Sequence, residues 1–208
     1  MKLAVVCLAI LLVLVVNEWW WRDRGHGEVS RKIVHMVVGS FVAFWPLFLS
    51  WRQIELLSLA FILVVLLSRQ RNIFPAIHNV ERQTWGELYF AAAVGLTALL
   101  THHPAVYAVA ILHMSLADGL AAIIGERHGH KLKAYKVLGA RKSVYGTLAF
   151  FVVSDLLVTA FALHARIAWE WQLAAVVVGA TALENVAIRG LDNLLVPLFV
   201  ALLLNSVV

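Results

Sequence analysis

The 208-residue sequence is poor in charged residues and in cysteine. Asp, Glu, Lys and Arg make up 14% of the chain, whereas hydrophobic residues make up 62%. A soluble domain of this length could not bury that much apolar surface, so the composition excludes an ordinary soluble fold and predicts a membrane protein. The single cysteine, Cys7, excludes an intrachain disulfide and argues against a redox role.

The apolar segments predict about eight helices. A hydrocarbon core of about 30 Å needs about 20 helical residues. The predicted helices lie near residues 3–21, 34–50, 54–68, 87–101, 105–124, 144–164, 170–187 and 191–207. The first continues through Trp19, Trp20 and Trp21 without a small-residue cleavage site, so we interpret it as a retained helix and not as a signal peptide. With no internal repeat or linker, the sequence predicts one all-α domain, residues 1–208, folded as a polytopic integral membrane bundle.

Basic residues are distributed unevenly between alternate connections of this bundle. Of the 17 Lys and Arg residues, only Lys2, Arg52 and Arg166 fall on one side. The positive-inside rule therefore predicts that the other connections are cytoplasmic and that both termini lie outside. For basic residues such as Arg22 and Arg71, fixing the membrane orientation or contacting anionic lipid is a sufficient explanation of their presence.

Polar clusters that packing does not explain fall on the predicted cytoplasmic side. They are RKIVH at 31–35, ERQTWGELYF at 81–90, the segment 118–146, and Glu184 with GLDNLLVP at 190–197. Four separate connections are therefore expected to converge on one face. His113 and Asp155 are instead predicted within the bilayer, either as functional groups or as a polar pair that holds two helices together.

Asp118 ends an apolar segment and is the main candidate for a metal ligand. A carboxylate at that depth is costly unless it meets a cation. Glu184 and Asp192 would complete an oxygen-rich site suited to Mg²⁺. For Asp192 and Asn193, helix capping before an apolar run is the alternative role.

The segment GERHGHKLKAYKVLGARKS, residues 125–143, is a basic loop punctuated by glycine. Glycine lets backbone amides turn toward an anion, lysine supplies a mobile positive charge, and the following helix directs its N-terminus toward a phosphate. No P-loop or protein-kinase signature occurs, so a nucleotide site here would belong to another class. The candidates for nucleotide contacts are Gly125, Gly129, Lys131, Lys133, Arg141, Lys142, Ser143 and Gly146.

The order RKIVH, GELYF, DGLAAIIG, RKSVYG and GLDNLLVP resembles the polyprenol kinase family, which includes phytol kinase, dolichol kinase and the CTP-dependent diacylglycerol kinases. These motifs extend from Arg31 to Pro197. The resemblance implies an integral membrane enzyme that uses a divalent cation to move the terminal phosphate of CTP, or a related nucleotide, onto a lipid alcohol. The residues it implicates are Asp118, Lys142, Ser143, Gly146, Glu184, Asp192 and Asn193, with Arg31, Lys32 and His35 in the first motif.

One position departs from that family, and two other interpretations stay open. Members commonly have Lys-Ser-x-Glu-Gly where this chain has KSVYG, so Tyr145 replaces a carboxylate. The segment 118–146 also resembles phosphatidate cytidylyltransferases, although their C-terminal signature is absent. A non-catalytic lipid transporter or binding protein is the third interpretation, and the gathering of polar groups on one side favours an enzyme over it.

We therefore expect a membrane kinase that phosphorylates a polyprenol, a phytol-like alcohol or diacylglycerol at a site facing the cytoplasm. Asp118, assisted by Glu184 or Asp192, would hold Mg²⁺, and Lys142 would stabilise the phosphates. A carboxylate, or less favourably His35, would accept the hydroxyl proton. The expected partners are the lipid alcohol, a nucleoside triphosphate and the bilayer, and not nucleic acid. The sequence leaves the lipid, the preferred nucleotide and the oligomeric state open.

Overall fold

The structure, a computed structural model, describes residues 28–71, 85–128 and 134–208, together with residues 6, 8 and 12. The side chains of residues 28, 30, 31 and 68–71 are outside this description. Most of the predicted first helix, 3–21, therefore lies outside the described residues.

Helices form most of the described chain. They are α1 (Glu28–Ala43), α2 (Trp51–Arg71), α3 (Gly86–Leu100), α4 (Pro104–Leu112), α5 (Asp118–His128), α6 (Val144–Ala165), α7 (Trp171–Val186) and α8 (Asp192–Asn205). A 3₁₀ turn, Trp45–Leu47, follows α1, and a π-helical segment, His113–Ala117, joins α4 to α5. Two short strands, β1 (Ala134–Val137) and β2 (Ala140–Ser143), precede α6.

Four predicted helices, 87–101, 144–164, 170–187 and 191–207, agree with α3, α6, α7 and α8 to within about two residues. The predicted helix 105–124 continues to His128 and so includes the start of the segment assigned to a basic loop. The prediction 54–68 was too short for α2. The prediction 34–50 was wrong at both ends, because α1 begins at Glu28 and Pro46, which has no amide hydrogen, lies in the separate 3₁₀ turn.

The basic loop contains a β-hairpin, which the all-α prediction missed. The strands pair antiparallel, with Tyr135 opposite Lys142 and Lys136 opposite Arg141. Leu138 and Gly139 form the turn with φ of 48° and 83°, and positive φ at both central positions is typical of a type I′ hairpin turn. Lysine and alanine are poor strand formers, so residue preference alone did not reveal these four-residue strands.

The hydrophobic core has two parts in the described residues. One packs side chains from the Pro104–His128 helix, α6, α7 and α8 around Phe150, Phe161 and Leu173. The other packs α1, the 3₁₀ turn, α2, α3 and α4 around Trp45 and Tyr107. The Pro104–His128 helix contributes to both parts and is thus the central helix of the bundle.

His113 ties the π-helical segment to α6. Its Nδ1 donates to the Val109 carbonyl at 2.8 Å, and its Nε2 accepts from the Ser154 hydroxyl at 2.8 Å. His113 and Ser154 are both fully buried. His113 therefore holds two helices together, which is one of the two roles that the sequence predicted for it. Its partner on α6 is Ser154, whereas the predicted polar pair was His113 with Asp155.

Two helices in the described ranges are long and apolar enough to cross a membrane, judged by length and composition: Pro104–His128 and Val144–Ala165. Large apolar side chains on α6, including Leu148, Leu156 and Leu163, are exposed on the outside of the bundle. Both features fit association with a membrane, and the full multi-pass topology stays a prediction.

Candidate functional site

Contacts at one end of the bundle join motifs that are far apart in sequence. The backbone N–H of Trp85 donates to the Arg189 carbonyl at 3.2 Å, which joins the start of α3 to the turn between α7 and α8. The Asn193 side chain reinforces this junction, because its Nδ2 donates to the Gly86 carbonyl at 3.2 Å. The second and fourth polar clusters of the sequence therefore meet.

Asp118, the first residue of α5, is buried against α1. Lys32 Nζ donates to Asp118 Oδ2 at 2.5 Å, and His35 Nε2 lies 3.8 Å from the same oxygen. Lys32 and His35 are three residues apart and share a helical face. His35 Nε2 also donates to the Met114 carbonyl at 2.9 Å. The first motif therefore supplies a lysine ammonium and a nearby imidazole as neighbours of Asp118.

Lys142, at the end of the hairpin, binds the C-terminal end of α7. Its Nζ lies 2.6 Å from the Glu184 backbone oxygen and 3.0 Å from each carboxylate oxygen of the same residue. An ammonium group has three N–H donors, and these three contacts match them. Lys142 therefore fixes Glu184 by both its backbone and its side chain.

Asp118, Glu184 and Asp192 form an acidic cluster. One carboxylate oxygen from each lies within 4.8 Å of the others. Burial raises the pKa of Asp192 to about 6, and the negative charge of Asp118 adds to that rise. Burial also raises the pKa of Glu184, which the Lys142 ammonium opposes. Glu184 and Asp192 both lie outside the two membrane-length helices. The three carboxyl groups together form a site that a cation would stabilise.

The acidic cluster fits a magnesium ion by its donor chemistry. Magnesium prefers hard oxygen donors in an octahedron at about 2.0–2.1 Å, which places ligand oxygens roughly 3–4 Å apart. The carboxylate oxygens, within 4.8 Å of one another, need only a small closure or a bridging water to reach that spacing. All three predicted metal ligands are thus brought together by the fold.

Two pairs of motif glycines let helices approach closely. A Cβ on Gly146 would lie 2.9 Å from the Ala121 carbonyl and 3.4 Å from the Gly125 Cα, so Gly125 and Gly146 bring α5 and the start of α6 together. A Cβ on Gly190 would lie 2.7 Å from the Gly86 Cα. The structure accounts for these four glycines by backbone packing that supports the site.

The other predicted contacts have varied positions. Ser143 Oγ accepts from the Gly146 N–H at 3.3 Å and caps α6, while Arg141 is exposed on the hairpin. Asn193 Oδ1 is buried and has no hydrogen-bond partner within the described residues. The predicted site residues that fall outside the described part of the chain are Gly129, Lys131, Lys133 and the side chain of Arg31.

A hydroxyl and amide cluster beside Glu184 was missed by the sequence reasoning. The Tyr135 hydroxyl contacts Asn185 Oδ1 and lies 2.5 Å from Thr147 Oγ1, and Thr147 Oγ1 donates to Asn185 Oδ1 at 2.9 Å. Asn185 Nδ2 donates to the Thr181 carbonyl at 2.9 Å. The one available signal was that Asn185 follows Glu184.

Comparison with known proteins identifies the family. The chain is 34% identical over 188 residues to a phytol kinase of Synechocystis sp., which covers 85% of this chain and 78% of the relative. The chain belongs to the polyprenol kinase family. This confirms the family that the motifs indicated.

Two plant relatives of this polyprenol kinase family member are similar over more of its length. A probable chloroplastic phytol kinase 2 of Glycine max is 28% identical over 218 residues, which is 95% of this chain and 73% of the relative. A probable chloroplastic phytol kinase of Zea mays is 28% identical over 228 residues, which is 95% of this chain and 74% of the relative. No protein-family model matches the chain. No solved structure matches it.

Proposed function

We propose that this family member is a multi-pass membrane kinase that transfers the γ-phosphate of CTP, or of a related nucleoside triphosphate, to the hydroxyl of a lipid alcohol. The acidic cluster of Asp118, Glu184 and Asp192, flanked by Lys32 and Lys142, carries the proposal. The relatives named phytol kinase favour an isoprenoid alcohol as acceptor. The choice of CTP rests on the family resemblance of the motifs.

The reaction joins the hydroxyl oxygen of the acceptor to the γ-phosphorus and breaks the bond from that phosphorus to the bridging oxygen. The nucleoside diphosphate leaves, and the hydroxyl proton passes to a carboxylate or to water. A Mg²⁺ ion held by Asp118, Glu184 and Asp192 would neutralise phosphate charge and help to orient the transferred group. The protein contributes mainly alignment and electrostatic stabilisation.

Lys142 has to exchange partners to take part in this reaction. Its three N–H donors are matched by three Glu184 oxygens. It must therefore release at least one Glu184 oxygen before it donates to a phosphate oxygen. The pairing keeps the ammonium and carboxylate neutralised until a triphosphate supplies the competing negative charge.

The candidate bases are not equivalent in the structure. His35 Nε2 faces the Met114 carbonyl, and a carbonyl can only accept, so Nε2 carries a hydrogen. A base role for His35 would therefore fall to Nδ1. Asp118 and Glu184 are carboxylates within the acidic cluster itself, and an ionised carboxylate oxygen can accept a proton directly, so we favour a carboxylate as the proton acceptor.

The cytoplasmic orientation of the site is supported by the distribution of charge. Lys136, Arg141 and Lys142 lie on the hairpin, and Arg127 lies in the last turn of α5, next to the hairpin in sequence. The positive-inside rule places such residues in the cytoplasm. Cytosolic nucleotide would then reach the cluster from the aqueous side while the lipid alcohol approaches from the bilayer.

The direct test combines labelled nucleotides with a panel of alcohols. Purified protein in lipid nanodiscs is given CTP, ATP, GTP or UTP, each labelled at the γ- or the α-phosphate, with phytol, polyprenol, diacylglycerol or, as the cytidylyltransferase acceptor, phosphatidate. We expect the γ label in the lipid product, with turnover abolished by EDTA and restored by Mg²⁺. Incorporation of the α label with release of pyrophosphate would identify a cytidylyltransferase. Alcohol binding without transfer of either label would favour a transporter or binding protein.

A further inference from the structure

An apolar groove lies between α6, α7 and the hairpin. It has a volume of about 380 Å³, and its lining residues are Tyr135, Val144, Thr147, Leu148, Phe151 and Thr181. Small-molecule sites typically occupy about 300–1,000 Å³ and are mostly apolar, so the groove is large enough for a ligand. Val144, Leu148 and Phe151 form one stripe along about 10 Å of α6. The groove is therefore elongated along a helix whose outer surface is apolar.

A compact group of polar atoms lies where the hairpin, α6 and α7 meet at the groove. Tyr135 and Thr147 line the groove, and their hydroxyls both contact Asn185 Oδ1. The amide orientation of Asn185 is fixed, because Nδ2 donates to the Thr181 carbonyl. Three oxygen atoms thus share the two hydrogens of the Tyr135 and Thr147 hydroxyls. Lone pairs on these oxygens remain available to accept a hydrogen bond from an additional hydroxyl.

The polar group of Tyr135, Thr147 and Asn185 is next to the catalytic candidates Lys142 and Glu184. Tyr135 lies directly opposite Lys142 in the hairpin, and paired residues of an antiparallel ladder project from the same face. Lys142 binds Glu184, while Tyr135 binds the next residue, Asn185. One face of the hairpin therefore contacts two consecutive residues of α7, one in the acidic cluster and one beside the groove.

We propose that this groove binds the acceptor alcohol, with its hydrocarbon chain along the α6 stripe and its hydroxyl at Tyr135, Thr147 and Asn185. This inference rests on the proposed kinase function and assigns it an acceptor site. Most of the groove surface is apolar, and its polar group includes Asn185, which follows Glu184; a long-chain alcohol likewise joins one polar group to an apolar chain. Because the groove opens beside exposed apolar side chains of α6, the alcohol reaches it laterally from the bilayer.

A matched pair of leucines on α6 tests this site by kinetics. Leu148 lines the groove and is 56% exposed, whereas Leu156 lies outside the lining set and is 62% exposed. Leu148→Trp fills the groove, so we expect the KM for the alcohol to rise ~10-fold or more while the nucleotide KM stays unchanged. Leu156→Trp should change neither constant. Thermal unfolding of both variants checks that each remains folded.

Photocrosslinking tests occupancy without requiring turnover. A long-chain alcohol that carries a diazirine on its chain should label the α6 stripe around Leu148 and Phe151, and excess unlabelled phytol should suppress the labelling. Leu148→Trp should reduce the labelling and Leu156→Trp should not. Labelling spread evenly along the exposed face of α6, or equal labelling in both variants, would overturn the acceptor site.

The two proposals fail in different ways. If the wild-type protein transfers no phosphate to any alcohol, the kinase proposal fails, and the crosslinking result still decides whether the groove binds an alcohol. If the wild-type protein is active but Leu148→Trp and Leu156→Trp have the same alcohol KM, only the acceptor site is rejected.

Discussion

At the scale of single residues, the proposed chemistry depends on how Asp118 and Lys32 neutralise each other. Both side chains are nearly inaccessible, with 5% and 11% exposure, and their charged atoms are 2.5 Å apart. Removing one partner of a buried ion pair commonly costs about 3–5 kcal/mol, because the other charge remains buried. A substitution at Asp118 is therefore expected to affect stability as well as turnover.

Asp118→Asn should lower kcat by at least ~100-fold, because it keeps the side-chain volume and removes a charge from the acidic cluster. It should also lower the thermal unfolding midpoint, since Lys32 loses its anionic partner. The double variant Asp118→Asn with Lys32→Met should regain stability and remain inactive. Measurements of both properties separate the two roles, and full activity in folded Asp118→Asn would reject the catalytic assignment.

Lys142 and Lys136 offer a comparison within one hairpin. Lys142 binds Glu184, whereas Lys136 is exposed on the other strand. Lys142→Ala should lower kcat and raise the nucleotide KM, with a loss of ~100-fold or more in kcat/KM, because a contact to developing phosphate charge is removed. Lys136→Ala should have little effect. Similar small losses in both variants would show that the hairpin acts through diffuse charge alone.

The sequence identified the charged residues of the site better than their neutral neighbours. A carboxylate or lysine in an apolar chain is conspicuous, so the sequence alone indicates Asp118, Glu184 and Lys142 as candidates. Tyr135 and Asn185 are 50 residues apart and gave no such signal. Their contact depends on how the hairpin packs on α7, which local residue patterns do not specify.

At the scale of elements, the turn between α7 and α8 positions two of the three carboxylates. Glu184 precedes this turn and Asp192 follows it. Gly190 adopts φ of 89°, and its α-carbon packs directly against the backbone of Gly86 at the start of α3. The separation of Glu184 and Asp192 therefore depends on a backbone contact that leaves no space for a side chain.

Gly190→Ala should destabilise the protein far more than Gly139→Ala. Both glycines have positive φ, but a Cβ at position 139 meets no atom within 4 Å, whereas one at 190 meets Gly86 at 2.7 Å. The left-handed conformation alone costs about 1–2 kcal/mol, and Gly190→Ala adds the backbone clash. Chemical unfolding in detergent measures the difference. Equal losses in the two variants would contradict a tight junction at Gly86.

The predicted helix boundaries agree with the structure where a long apolar run determines the helix. The long apolar runs that became α3, α6, α7 and α8 are unambiguous. The start of α1 was missed because four of its first five residues, EVSRK, are polar. The prediction relied on apolar length, so it placed the start of the helix after them. The hairpin was missed because its Lys and Arg residues are typical of a solvated loop.

At the scale of the whole molecule, the membrane orientation can be tested across one helix. Exposed residues His103 and Ala134 flank the membrane-length helix Pro104–His128, which is about 38 Å long. In a background with Cys7→Ser, we expect cysteine substituted at 134 to react with an impermeant maleimide from the cytoplasm, and cysteine at 103 to react from outside. The reverse pattern would invert the topology, and reaction of both positions from one side would reject the span.

At the same scale, composition predicted helices of membrane length, but it did not predict how those helices are arranged. The excess of apolar residues correctly indicated membrane-length helices, and the motif order correctly indicated the polyprenol kinase family. Neither property shows how helices pack, because lipid-facing and buried apolar faces have similar composition. The convergence of Lys32 on Asp118 and of Asn193 on Gly86 follows from that packing.

The π-helical segment His113–Ala117 gives Asp118 its angular position. The Asp118 N–H donates to the His113 carbonyl, five residues back, so the central helix accommodates one residue more than a regular α-helical turn. One residue corresponds to about 100° of rotation around a helix axis. If the same residues were wound as a regular α-helix, Asp118 would turn away from Lys32 while α4 kept its packing. The carboxylate's direction thus depends on the wide turn of this segment.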